Sequence, residues 1–315
     1  MSRQATAVKQ ATAVWQTTQF LSVLDLSPAE LEACLQLAAS MKAARRAGRP
    51  HETPLAGRHV ALLFDKPSLR TRSTFMIAVR ELGGDVIEPP ADVALGGRET
   101  IEDVARNLER WVFGAVVRTF AQQRLERFAG AAPDLRVVNA LTDEEHPCQA
   151  LADMQTLRER LGPLQGRRLA WVGDGCNNVC HSLITAAGML GMQVRVATPL
   201  GFEPDLAVVA AAGAVTVTDD PLEAVTGADA VATDVRTSMG QEAERDQRVS
   251  NLTPYQVNRA LLSSAAPGHI VLHCLPAHYG QEITHEVLHG PGSAAWDEAE
   301  NRLHAQKALM AMVMA

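Results

Sequence analysis

The chain has 315 residues, 47% of them apolar, five cysteines and a formal net charge of −7. The length suits two domains of about 150 residues each, and an acidic balance whose one basic stretch, Lys42 to Arg49, is short argues against nucleic acid as the main partner. The odd, scattered cysteines (Cys34, Cys148, Cys176, Cys180, Cys274) point to a reducing cytosol and not to a disulfide framework, and no apolar run approaches a membrane span.

In chain order, Met1 to about Thr12 reads as a loose polar tail with no apolar signal-peptide region after it. A helix is predicted from Pro28 to Ala47, stopped by Gly48. The strand Val60–Phe64 then turns through Lys66-Pro67 into an amphipathic helix. That helix carries Phe75, Ala78, Val79 and Leu82 at helical spacing and is closed by Gly83-Gly84. Strands follow at Ala115–Arg118 and Arg136–Val138. An amphipathic segment from His146 to Leu161 can tie one half to the other. The second half restarts with strands at Arg168–Val172, Gln193–Val196, Val215–Val217, Ala228–Ala232 and His269–Leu272, separated by helical stretches. Strands alternating with helices give a parallel sheet covered on both faces, here twice. The expectation is an α/β chain of two doubly wound parallel-sheet domains joined by interdomain helices. In such folds ligands bind beyond the carboxyl ends of strands, where most of the polar clusters fall.

Ser68-Leu69-Arg70-Thr71-Arg72-Ser73-Thr74 opens a helix, whose N-terminus offers unpaired N–H groups and the positive end of a dipole. With two hydroxyls, two arginines and Lys66 just before, it reads as a phosphate seat, one arginine expected to face the ligand and the other elsewhere. The plainer reading is an ordinary capped helix start. Arg118 closes a strand, a position more often held by a surface ion pair. In Asp143-Glu144-Glu145-His146-Pro147-Cys148-Gln149, His146 and Gln149 share a helical face and can grip a carbonyl and an amide; the plain reading is a capping turn. Gly173-Asp174-Gly175-Cys176-Asn177-Asn178 lacks the third glycine of a dinucleotide fingerprint, and no carboxylate ends the next strand. Its two asparagines either cap a helix or hold a carboxylate. Asp234 and Ser238, four apart, can pair with an ammonium group. His273-Cys274 raises thiol-nucleophile and metal readings, but no partner pair stands at zinc spacing, and Cys176 and Cys180 read as helix filler.

Together these clusters, with Gly97-Arg98-Glu99-Thr100, Ser238-Met239-Gly240, His273-Cys274-Leu275-Pro276 and Asn301-Arg302, resemble the ornithine carbamoyltransferases in type, order and spacing, from about Thr17 to Met314. The resemblance implies transfer of a carbamoyl group from carbamoyl phosphate to the δ-amine of ornithine, giving citrulline, in arginine biosynthesis or in reverse, with no cofactor and no metal. It implies that Ser68, Leu69, Arg70, Thr71 and Arg118 bind the phosphate. Arg118, His146, Thr71 and Arg302 address the carbonyl oxygen, and Gln149 holds the amide. Asn178 and the Met239 backbone take the ornithine carboxylate, Asp234 and Ser238 its ammonium, and Cys274 and Leu275 lie beside the δ-amine. Catalysis is assigned to Arg118, His146, Cys274 and Arg302, with Cys274 an orienting group and no covalent intermediate. The carbamoyl phosphate domain is expected at residues 1–147 with a returning helix at 296–315, the ornithine domain at 148–295. A cytoplasmic homotrimer, or a multiple of trimers, is also implied, with segment Leu95–Thr100 reaching a neighbouring subunit. Two departures stand out: Leu69 where the family commonly has Thr, and Met76 where many members have Glu.

Overall fold

Each half of the chain folds around one five-stranded, wholly parallel sheet. The structure, a computed structural model, describes residues 18–50, 52–90, 95, 97–237 and 244–314. Two units result, Met1–Gln155 with Asn301–Ala315, and Thr156–Glu300. The boundaries fall inside the helices Pro147–Leu161 (α5) and Ala295–Val313 (α12), so the chain passes from one unit to the other in helical form each time.

Unit 1 carries β1 (Gln19–Phe20), α1 (Pro28–Arg46), β2 (His59–Phe64), α2 (Arg70–Glu81) and β3 (Asp85–Ile87). It continues through α3 (Ile101–Trp111), β4 (Gly114–Arg118), α4 (Gln122–Ala131), β5 (Arg136–Leu141) and the first part of α5. Strands run in the order β1-β5-β4-β2-β3. The centre reads as unbroken apolar runs because both faces are covered: Val60 to Leu63 and Gly114 to Val117 are all buried. One face packs Leu108, Leu125 and Phe128 from α3 and α4 against Ala61, Leu63, Ala115 and Val117. Local chemistry fixes the helix starts. Ser27 and Glu30 form a reciprocal capping box with Pro28 at the first turn of α1, and the Thr100 hydroxyl accepts from Asp103 N to open α3.

Unit 2 carries the rest of α5, β6 (Arg168–Val172), α6 (Asn178–Met189), β7 (Gln193–Ala197), α7 (Leu206–Ala212), β8 (Val215–Thr218) and α8 (Pro221–Val225). Then come β9 (Ala230–Thr233), α9 (Arg245–Asn251), α10 (Arg259–Leu262), β10 (Ile270–His273), α11 (His285–Leu288) and the start of α12. The order is β10-β9-β6-β7-β8, over a core that includes Ala170, Val172, Val231, Val257, Val271 and Leu288.

These orders position the chemistry. The chain runs outward from β2 to β3, then returns to build β4 on the opposite side of β2; in unit 2 the same reversal separates β6 from β9. At such a switch point the two flanking loops diverge and leave a crevice beyond the carboxyl ends. In unit 1 that crevice is bounded by the Ser68–Arg72 turn and Arg118, in unit 2 by Gly173–Asn178 and Asp234. Two strands escaped the sequence reading, β1 and β3. Both are edge strands of two or three residues, too short to show an apolar pattern.

Candidate active site

In unit 1 the N-cap of α2 is Leu69, and no side chain caps that helix. The N-cap is therefore not Ser68, and the capped-start reading of the turn fails. Leu69 projects outward, 77% exposed. Arg72 turns away and forms a two-point pair with Glu88 (2.8 and 2.6 Å), which leaves Arg70 as the arginine of the pair not tied to Glu88. Lys66 was expected to add charge to the seat; instead its ammonium pairs with Asp143 at 2.6 Å and lies 4.2 Å from the centre of the Phe120 ring.

Behind the turn, buried cations converge on one hydroxyl. Thr71 Oγ1 accepts from Arg302 Nη2 at 2.8 Å and from Arg118 Nη1 at 3.4 Å. With both lone pairs engaged, its own proton is left to donate outward. Arg302 Nη1 also donates to Gln149 Oε1, and Gln149 Nε2 donates to Asp153 Oδ1 at 2.8 Å. Thr71, Arg118, His146, Gln149 and Arg302 are all buried. Burial, then Arg302, Arg118 and Arg70, holds the His146 pKa well below 6.5, so the imidazole stays neutral as a hydrogen-bonding group. Adjacent Cys148 is a core group: burial pushes its thiol up to about 12, and Sγ donates to Asn139 O. The acidic run is structural in part, since Glu145 Oε2 accepts from Val23 N at 3.1 Å.

In unit 2 the capping reading applies to the first of the adjacent asparagines. Asn177 is the N-cap of α6, its Oδ1 accepting from Val179 N at 2.7 Å, while Asn178 is the first helical residue. Asn177 Nδ2 donates to Asp234 Oδ2 at 3.1 Å, and Cys274 Sγ to Asp234 Oδ1 at 3.0 Å. Asp234 is thus fixed from two sides, and its oxygens keep lone pairs for a further donor. Both ring nitrogens of His273 have partners other than the thiol: Nδ1 accepts from Leu275 N (2.9 Å) and Nε2 lies 3.3 Å from Glu282 Oε1. An acceptor on Nδ1 fixes the Nε2–H tautomer, which Glu282 holds, while Glu282 Oε1 also accepts from His278 N at 2.5 Å. Leu275 stands at φ 57°, a left-handed conformation rare for leucine, and precedes a cis Leu275–Pro276 bond.

Asp174 pairs with Arg248 and caps Cys176 N, yet burial outweighs the cation and lifts its carboxyl to about 6. Cys176 lies in the turn and is exposed, contrary to its reading as helix filler; Cys180 does fill α6, buried. Among the described residues, Asp234, His273 and Cys274 bring ligand atoms within 4.8 Å of one another, a convergence that spacing along the chain did not reveal. Ser238, Met239 and Gly240 lie outside the described residues, as does residue 96 of the Leu95–Thr100 segment; Arg98 is exposed.

Sequence reasoning missed two supporting groups. Asp153 stands one helical turn after Gln149, so an i, i+4 scan would have found it. Glu282 carried no signal, because its partners His273 and His278 meet it through a loop.

The carbamoyl-P binding domain of the aspartate/ornithine carbamoyltransferases matches residues 18–159, and their Asp/Orn binding domain residues 165–313. The chain is 48% identical over 300 residues to an ornithine carbamoyltransferase of Methanocorpusculum labreanum, covering 94% of this chain and 97% of that one. It is 51% identical over 304 residues to one of a Parafrankia species, covering 94% and 95%. Among solved structures, the Pyrococcus furiosus ornithine carbamoyltransferase superposes with a TM-score of 0.91 at 42% identity, covering 96% of this chain and 98% of that one. That of Thermus thermophilus gives 0.87 at 44%, covering 95% and 100%.

Proposed function

Since the chain belongs to the aspartate/ornithine carbamoyltransferase family, we propose that it carries the carbamoyl group of carbamoyl phosphate to the δ-amine of L-ornithine, releasing L-citrulline and phosphate. The observation that carries the reading is the convergence of Arg118 and Arg302 on Thr71, with neutral His146 and Gln149 beside them.

In this reading Ser68, Leu69, Arg70 and Thr71 hold the phosphate at the uncapped start of α2, Arg118 joining them. The outward Thr71 proton, Arg118, Arg302 and His146 face the carbamoyl oxygen, where attack builds negative charge. Fixed donors aimed at such a charge are each worth about 3–4 kcal/mol. Neutrality suits His146 because an imidazole N–H donates there without adding repulsion to the arginines. Gln149 Oε1 takes the carbamoyl amide. In unit 2, Asn178 and Met239 take the ornithine carboxylate, Asp234 and Ser238 its ammonium, and Cys274 with the Leu275 carbonyl orients the δ-amine. That amine has an ordinary pKa near lysine's, about 10.4, and must be neutral to attack; a cationic surrounding favours the neutral form. Phosphate leaves and collects the amine proton, so no covalent enzyme species is needed. Arginine biosynthesis or its reversal, a cytoplasmic setting and assembly as trimers belong to the same proposal; no helix among the described residues is long and apolar enough to cross a membrane.

The test is citrulline-type product formation from carbamoyl phosphate with ornithine, N-acetylornithine, putrescine and aspartate in parallel. Ornithine is expected to be the preferred acceptor by a wide margin. Product with another amine, and none with ornithine, would overturn the reading.

A further inference from the structure

Outside the groups used above, unit 2 carries an exposed cluster of nitrogen ligands on α11. His285 and His289 stand four residues apart on the single turn His285–Leu288 and its C-cap, and both are exposed. Their ring centroids are 4.3 Å apart with planes 28° from parallel. Tyr279 completes the cluster: its hydroxyl is 3.2 Å from His289 Nε2 and its ring 5.1 Å from that of His285. The platform is firm, because Val287 and Leu288 are buried and the turn is closed by Leu288 N to Thr284 O (3.1 Å) and His289 N to His285 O (3.0 Å).

We propose that His285 and His289 form a binding site for a divalent transition-metal ion, with the Tyr279 hydroxyl beside it and water completing the shell. Imidazole nitrogens suit nickel, copper and zinc, and i, i+4 histidines present both nitrogens to one point on a helix face. Rings already stacked at van der Waals separation need only exposed side-chain rotation to bring both nitrogens to the roughly 2.0–2.1 Å expected for a metal–imidazole bond. His285-Glu286-Val287-Leu288-His289 also has the His-Glu-x-x-His spacing of zinc peptidases. Here it sits on one turn, and among the described residues no third imidazole, thiol or carboxylate joins it. The chemistry on offer is therefore ion binding and not hydrolysis.

The Trp296 ring lies 5.7 Å from that of His289 and supplies a built-in reporter. Titrating the full chain with Ni²⁺ should give saturable quenching of tryptophan fluorescence at one equivalent, and calorimetry should return the same stoichiometry. His285→Asn and His289→Asn should each abolish it, while Trp296→Phe should remove the optical signal and keep the calorimetric one. The proposal falls if both histidine variants bind as the parent does, or if binding disappears only in Cys274→Ser, which would place the ion at Asp234, His273 and Cys274.

Discussion

Thr71 is the residue on which the cations of unit 1 meet, and its hydroxyl accepts from Arg302 and Arg118 with its proton left over. Thr71→Val keeps the shape and removes all three roles. The expected result is a loss of kcat of roughly 10²–10³-fold, the cost of one donor aimed at a developing oxyanion; a loss under tenfold in steady-state citrulline assays would contradict the donor role. His146 makes a different prediction, on stability. Its folded pKa lies well below 6.5 because burial and then three arginines oppose the cation. As pH falls through about 6.5 the unfolded chain gains a proton that the native state refuses, so stability drops by up to about 1.4 kcal/mol per pH unit below that point and is unaffected above it. Urea melts of the parent and His146→Asn between pH 7.5 and 5.5 should diverge on the acid side, the parent losing more. Parallel curves would mean that His146 titrates normally.

At the level of elements, the helix start proposed to bind and the helix that packs depend on different features. The first turn of α2 is left uncapped, whereas α6 is capped by Asn177 and then pressed against α7. A Cβ at Gly188 would stand 2.0 Å from Ala212 O. Alanine gains about 1 kcal/mol over glycine in a helix interior, but forcing an atom into a backbone carbonyl costs about 1–3 kcal/mol or more. The clash wins: Gly188→Ala should lower the thermal midpoint, while Gly130→Ala in α4, where nothing lies within 4 Å of the added atom, should hold or raise it. Scanning calorimetry of the two variants checks both signs. The same contrast explains how far the sequence could be read. The central strands and α1, α2 and α5 announce themselves through continuous apolar runs and helical spacing, and the chemistry-bearing turns follow because they end those strands. The pairings that reassign charge do not announce themselves. Lys66 with Asp143, Arg72 with Glu88 and His273 with Glu282 depend on where separate segments return in space, and no local pattern specifies that.

For the molecule as a whole, an acidic chain of net charge −7 holds a local collection of cations in unit 1 and a carboxylate, Asp234, at the corresponding switch point of unit 2. Attraction of a phosphate dianion must then be short-ranged, and the two substrates should respond to different units. Arg70→Ala removes one charge from the α2 turn. At about 4 Å and an effective dielectric near 20 a unit-charge pair is worth about 4 kcal/mol. Arg70 is partly exposed, so solvent screens that figure heavily, and a tenfold to hundredfold rise in the carbamoyl phosphate KM is the reasonable scale, each tenfold being about 1.4 kcal/mol. Inorganic phosphate, the product proposed to occupy the same seat, should weaken as a competitive inhibitor by a similar factor, and the ornithine KM should move little. Asp234→Asn should do the reverse, raising the ornithine KM and leaving phosphate inhibition intact. Initial-rate measurements with both substrates varied, with and without phosphate, decide the matter. If Arg70→Ala bound carbamoyl phosphate and phosphate as the parent does, the anion would have to sit elsewhere than at the uncapped start of α2. If Asp234→Asn raised both KM values together, its carboxylate would be supporting the fold of unit 2 and not holding an ammonium.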